Sequence, residues 1–264
     1  MTSRVLGGDD TGQGEVLLCI HGFPLDRTLW RHQVRELSKT RRVLAPDLRG
    51  RGASPLQVGE AAAWSLDDLT DDLVATLDAK GIERVDVMGL SMGGYVAFAF
   101  LRRYASRVRS LTLVNTKADA DTAEGKTGRT DTAHRILARG MAPLADGMIS
   151  KLLASRATPE LHDGVRAMFL ATPPETAAAD ALAMRDRPDS TPDLAAIAVP
   201  TLVIHGEHDA LMPAAGAHAM AHRIPNARFV VIPGAGHLSP LEQPEAVNAV
   251  LGLFMLHCNT GHSL

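Results

Sequence analysis

Short apolar runs recur along the chain, separated by stretches whose apolar positions repeat every three to four residues. The runs at 16–20, 42–45, 84–88, 110–114, 201–204 and 228–232 predict strands, and several are apolar almost throughout, as strands buried on both faces are. Between them, Leu66, Leu69, Leu73, Val74 and Leu77 make one stripe at helical spacing, with Ser65 and Asp68 placed as a capping box and Gly81 as the stop. Trp30, Val34 and Leu37 give a second such face, and Pro244 opens a last helix through Val247, Val250, Leu251 and Phe254. Strands alternating with helices predict an α/β fold, a mostly parallel central sheet flanked by helices.

From Asn115 to about Pro192 the pattern changes. Strand-like runs stop, alanine and methionine rise, and amphipathic segments follow one another near 130–139, 142–155, 159–171 and 174–187. This predicts a helical insertion at 116–192 between two strands of a core formed by 1–115 and 193–264. The polar tail 257–264 is expected to fray.

Length and composition narrow the possibilities. A chain of 264 residues with 45% hydrophobic content can bury one large core. A net charge of −3 without a cluster of Lys and Arg argues against a nucleic-acid partner. No apolar run nears the roughly 18 residues of a membrane helix, and the first residues do not resemble a signal peptide. Two cysteines make no disulfide framework, so a reducing cytoplasm is the expected location.

The candidate chemistry begins at Gly89-Leu90-Ser91-Met92-Gly93, where an expected strand turns sharply into an expected helix. A serine on such a turn has its hydroxyl clear of the backbone, with small residues two before and two after letting neighbouring chain pass. The hydroxyl is a weak nucleophile and needs a base. His237, on a loop after an expected strand, lies on the rim where α/β sheets build their sites. A carboxylate must then hold the imidazole, and Asp209 follows the strand 201–204 to the same rim. Glu207 is its rival on that loop, and Asp119 and Asp121 are more distant ones. His205, His208 and Asp209 could be read as metal ligands, but a His-x-His-x-Asp-His pattern is absent, and no metal or other cofactor is expected. His21 is expected to shape a loop, Asp26 to cap a helix, and Arg49 and Arg51 to hold their own loop.

The order Ser91, Asp209, His237 resembles that of the α/β-hydrolase triad. His21-Gly22-Phe23-Pro24, Asp47-Leu48-Arg49-Gly50-Arg51-Gly52 and Pro200 through Asp209 are similar to segments of the same family, and the likeness spans nearly the whole chain. Haloalkane dehalogenases and epoxide hydrolases of this fold carry aspartate where Ser91 stands. Within the family, His21-Gly22-Phe23-Pro24-Leu25-Asp26 and Asn115-Thr116-Lys117-Ala118 look most like 3-oxoadipate enol-lactonases and small carboxylesterases.

The resemblance implies a helical cap inserted after the sixth strand and an oxyanion hole made by the backbone N–H groups of Phe23 and Met92. It implies a serine hydrolase acting on a small-molecule ester or lactone, with neither nucleic acid nor membrane as partner, as a monomer or homodimer. Relatives often carry two antiparallel strands at the front, and so few residues precede Val16 that a shortened edge is expected. Met141, Met148, Met168 and Met184 suggest an adaptable acyl pocket, and Arg49, Lys117, Arg129 and Arg135 are possible partners for an anionic substrate. Three alternatives stay open: a perhydrolase or cofactor-free haloperoxidase, a C–C bond hydrolase, and a small-molecule receptor of hydrolase ancestry.

Overall fold

A computed structural model describes residues 2–60 and 62–260. Seven strands, β1 (Gly8–Thr11), β2 (Val16–Ile20), β3 (Arg42–Pro46), β4 (Val85–Leu90), β5 (Val108–Val114), β6 (Thr201–Gly206) and β7 (Ala227–Ile232), form one sheet in the order β1-β3-β2-β4-β5-β6-β7. All neighbours pair in parallel except β1, which runs antiparallel to β3. The six predicted strands are present, with ends that match or differ by at most two residues. The central ones, β2 and β4, are buried at every position, which explains their unbroken apolar runs.

β1 was invisible to hydrophobic patterning because Gly8-Asp9-Asp10-Thr11 contains no apolar side chain. It is an edge strand whose Asp10 accepts from Arg42 at 2.8 Å and from Lys80 at 2.9 Å, a charged edge of the kind that discourages pairing with other chains. One antiparallel strand at this edge means that the helical insertion follows the fifth strand of this chain and not a sixth.

The helices of the sheet region are α1 (Arg31–Leu37), α2 (Leu66–Ala79) and α3 (Met92–Tyr104) before the insertion. Ser65 and Asp68 form the predicted capping box on α2. The insertion holds α4 (Ala123–Arg139), α5 (Ala142–Leu152), α6 (Pro159–Ala171) and α7 (Pro174–Arg185), with α4 packed on α7 and α5 on α6. After it come α8 (Ala214–Arg223), the short α9 (Ser239–Glu242) and α10 (Pro244–Thr260). α10 carries residues 257–260 of the tail that was expected to fray, while 261–264 lie outside the described residues.

The loop 47–52 departs from expectation in an informative way. Arg49 and Arg51 do more than hold their own loop. Arg49 makes a bidentate pair with Asp72 of α2 at 2.8 and 2.7 Å, and Arg51 pairs with Asp180 of α7, which also accepts from Trp64 Nε1 at 3.0 Å. Both guanidinium groups are buried, so a sheet loop is pinned to α2 and, through Arg51, to the inserted helices.

Candidate active site

Ser91 caps the N-terminus of α3 with φ 55° and ψ −114°, a left-handed backbone that any residue with a Cβ resists. Its surroundings hold it there. The Ser91 N–H donates to the Val114 carbonyl at 3.0 Å, and the Thr116 hydroxyl donates to the Ser91 carbonyl at 2.8 Å, so the end of β5 grips both sides of the turn. Gly93 lets α3 start hard against β2: a Cβ there would stand 2.1 Å from the Ile20 carbonyl oxygen. Gly93→Ala is therefore expected to cost about 2–3 kcal/mol of stability, read as a lowered urea midpoint. A midpoint equal to that of the unaltered chain would show that the turn does not need this close approach.

His237, nearly fully buried, follows β7, and its Nδ1 lies 2.7 Å from Asp209 Oδ2. Asp209 Oδ2 also accepts from Asn115 Nδ2 at 2.9 Å, and Oδ1 accepts from the Leu211 and Met212 N–H groups at 2.9 and 3.0 Å. Burial by itself would raise the Asp209 carboxyl. The hydrogen bond and charge of His237, then the donors from Asn115 and Met212, outweigh it and hold the carboxyl below the usual carboxylate range.

The rivals of Asp209 have other partners. Glu207 accepts from the Gly234 N–H at 2.7 Å, Asp119 pairs with Lys117 at 2.6 Å, and Asp121 pairs with Arg187 at 2.8 Å and Arg129 at 3.0 Å. His205 is buried and its Nε2 donates to the Met212 carbonyl at 2.7 Å, while His208 is exposed beside Glu207. Burial lowers the His205 imidazole below its ordinary value and favours the neutral ring.

His21 and Asp26 do what their positions suggested. The buried His21 accepts from the Leu48 N–H at 3.0 Å, and burial, reinforced by the Arg51 charge, lowers its pKa to about 3. Asp26 caps the 3-10 turn Arg27–Trp30 by accepting from the Thr28 N–H at 2.8 Å.

Sequence reasoning missed three supporting residues. Asn115, whose amide reaches Asp209, is itself fixed by the Ser239 hydroxyl donating to its Oδ1 at 2.7 Å. Asn115 directly follows β5 on the same rim as Ser91 and Asp209, and that placement was the available signal. Glu242 has no such mark. Its carboxylate accepts from the N–H groups of Ala154, Gly236 and Leu238 at 2.7, 2.9 and 3.2 Å, joining the histidine loop to the chain leaving α5. The Leu152 carbonyl at the end of α5 accepts from both His237 and Leu238, at 2.8 and 3.3 Å.

Ser91, His237 and Phe23 line one cavity of about 520 Å³. Its apolar walls include Met148, Leu152 and Met184 from the insertion and Met212 from the loop after β6. Of the four methionines proposed from sequence, Met141 and Met168 are buried in the core and do not line this cavity. A Cβ on Gly22 would meet the Ser91 Cβ at 3.3 Å, so the chain leading to Phe23 passes directly beside the serine. Among the described residues, no acceptor meets the Phe23 N–H or the Met92 N–H.

One end of the cavity is charged. Lys117, Asp119, Asp121 and Arg129 line it, and Tyr95 stands there with the Arg187 guanidinium 4.2 Å from its ring centroid. Burial would raise the Asp121 carboxyl, but the Arg187 hydrogen bond and the Arg129 charge bring it down to about 2. Lys117 and Arg129 thus reach the cavity, whereas Arg49 is occupied with Asp72 and Arg135 opens onto a neighbouring hollow.

Comparison with known proteins agrees with this architecture. The chain is similar to a thermophilic esterase from Thermogutta terrifontis, solved with malate bound, at a TM-score of 0.92 and 43% identity over 95% of this chain and 92% of the other. It is 30% identical to a 2-hydroxymuconate semialdehyde hydrolase of Pseudomonas putida over 96% of this chain and 92% of that protein. It is 31% identical to 3-oxoadipate enol-lactonase 1 of Acinetobacter baylyi over 83% of this chain and 80% of that protein. The alpha/beta hydrolase fold family matches residues 15–244. With that match, a seven-stranded, mostly parallel sheet and a serine turn between β4 and α3, the chain belongs to the α/β-hydrolase fold family.

Proposed function

We propose that this chain hydrolyses a small carboxylic ester or lactone through an acyl-enzyme on Ser91. The observation that carries the reading is the Asp209–His237 hydrogen bond of 2.7 Å, made by a histidine that shares a largely apolar cavity with Ser91. With its Nδ1–H directed to the carboxylate, His237 keeps the Nε2 lone pair for the serine proton. Ser91 attacks the carbonyl, and the Phe23 and Met92 N–H groups, which have no other acceptor among the described residues, receive the oxyanion. His237 passes its proton to the leaving alcohol and then draws one from the water that releases the acid. Nucleophile, base and oxyanion donors all come from the chain, so no step calls for a metal.

Residues 116–192 act in this reading as a cap. Met148, Leu152 and Met184, which line the cavity with Ser91, shape the acyl pocket in this reading. An organophosphonate ester tests the assignment without knowledge of the substrate. It is expected to add its mass to the tryptic peptide 85–102, which contains Ser91. Labelling of a different serine, or none at millimolar reagent, would remove Ser91 as nucleophile.

A further inference from the structure

A second hollow of about 360 Å³ adjoins the first and shares Phe23, Arg129 and Met148 with it. It lies between α4 and α5. Arg129, Thr132, Arg135 and Arg139 face it from α4, and Lys151 faces it from α5. Positions three to four apart on a helix share a face, so the sequence directs these cations to one side. Among the described residues, no aspartate or glutamate lines the hollow. The nearest carboxylate on α5, Asp146, is paired with Arg166 at 3.1 Å.

Arg129 is already paired with Asp121, which it shares with Arg187, but Arg135, Arg139 and Lys151 form no ion pair with any described residue. Arg135 makes one hydrogen bond, to the Thr132 hydroxyl at 3.3 Å. In a chain of net charge −3, this is a local excess of positive charge that mutual repulsion disfavours unless an anion offsets it.

Building on the ester-hydrolase reading, we propose that the substrate carries a phosphate monoester, received by Arg135, Arg139 and Lys151 while the ester carbonyl lies at Ser91. Three unpaired cations match a dianion with three acceptor oxygens better than a single carboxylate. Arg135, Arg139 and Lys151 are exposed, so a phosphate among them stays partly hydrated and its desolvation cost is small. Phe23 and Met148, common to both spaces, mark where the substrate would pass from one to the other.

Two measurements test this. The first needs no turnover: glycerol 3-phosphate, followed by calorimetry at low salt, is expected to bind with a Kd below about 1 mM, and at least tenfold more weakly at about 0.3 M salt. The triple variant Arg135→Gln, Arg139→Gln, Lys151→Gln changes exposed side chains only and is expected to lose at least tenfold in that affinity. Absence of binding, or equal binding by the variant, overturns the proposal.

The second compares 1-butyrylglycerol 3-phosphate with 1-butyrylglycerol. The phosphate ester is expected to have a kcat/KM about 10- to 100-fold higher, chiefly through KM, and the ratio is expected to fall toward one in the triple variant. Hydrolysis of the neutral ester without preference for the phosphate ester defeats this proposal alone. Absent phosphonate labelling of Ser91 defeats the hydrolase reading whatever the phosphate binding. A preference confined to mono-4-nitrophenyl glutarate over 4-nitrophenyl butyrate would assign the hollow to carboxylates and overturn the phosphate.

Discussion

Ser91→Ala is expected to lower kcat toward p-nitrophenyl acetate by roughly 10⁵- to 10⁶-fold while leaving thermal unfolding unchanged. The size follows from losing the covalent route altogether: the oxyanion donors and the cavity remain, but nothing attacks except water. Stability is expected to hold because alanine keeps the Cβ, so the backbone at φ 55° is no more strained than before, and the hydroxyl donates no hydrogen bond among the described residues. Ser91→Gly separates the two effects. It should be equally inactive yet more stable by about 1–3 kcal/mol, since glycine carries no penalty in this conformation. A Ser91→Ala protein that retains a tenth of the starting rate would end the assignment of this serine as nucleophile.

Asp209→Asn should cost about 10⁴-fold in kcat with the fold retained. The cause lies in which groups point at the carboxylate. Leu211 and Met212 N–H donate to Oδ1, and Asn115 Nδ2 donates to Oδ2 beside the His237 Nδ1. Every protein group around Asp209 is thus a donor, or can be one. An asparagine in this place must turn its own NH₂ toward one of these sets. Its oxygen is best kept on the two backbone N–H groups, which leaves the NH₂ facing His237. The imidazole can accept that hydrogen only by moving its proton to Nε2, and a ring protonated there cannot take the serine proton.

A pH series adds a second readout. The Asp209 carboxyl lies below its ordinary value, so its contribution to stability is present above the unfolded pKa near about 4 and is lost as pH falls through the lower folded value. The stability gap between the unaltered protein and Asp209→Asn should therefore be full at neutral pH and close in acid. A gap that widened on acidification, or a kcat within tenfold of the starting value, would contradict the role of Asp209.

Much of the candidate site was legible in the sequence because its members stand at the C-terminal ends of apolar strands, and such strands announce themselves. Ser91 follows β4, Asp209 follows β6 and His237 follows β7, each within a few residues. The parallel order of the sheet then brings those ends to one rim.

What could not be read depends on contacts with no periodicity. β1 pairs through its backbone and pays for itself in ion pairs, leaving no apolar signature. Arg49 and Arg51 look like local loop residues, yet their partners Asp72 and Asp180 are distant in sequence. Met148 and Met184 cannot be told from Met141 and Met168 by spacing, because a helix that buries one face against a neighbour and another against a cavity uses the same residues for both. Glu242 reads as an ordinary acidic residue at a helix end, and only the fold reveals the three N–H groups around it.

The grip of Leu152 and Glu242 on the histidine loop bears on how such enzymes can be rebuilt. His237 takes its main-chain support from the same stretch of chain that ends α5 and lines the cavity. The cavity wall and the placing of His237 are in this way inherited as one piece. Exchanging the inserted helices for those of a relative carries over the anchor of His237 together with the new walls. A chimera joined between Leu152 and Ala154 would sever that support, whereas one that keeps 152–156 with its own Gly236 and Glu242 would let the walls diverge while the His237 loop stays in register.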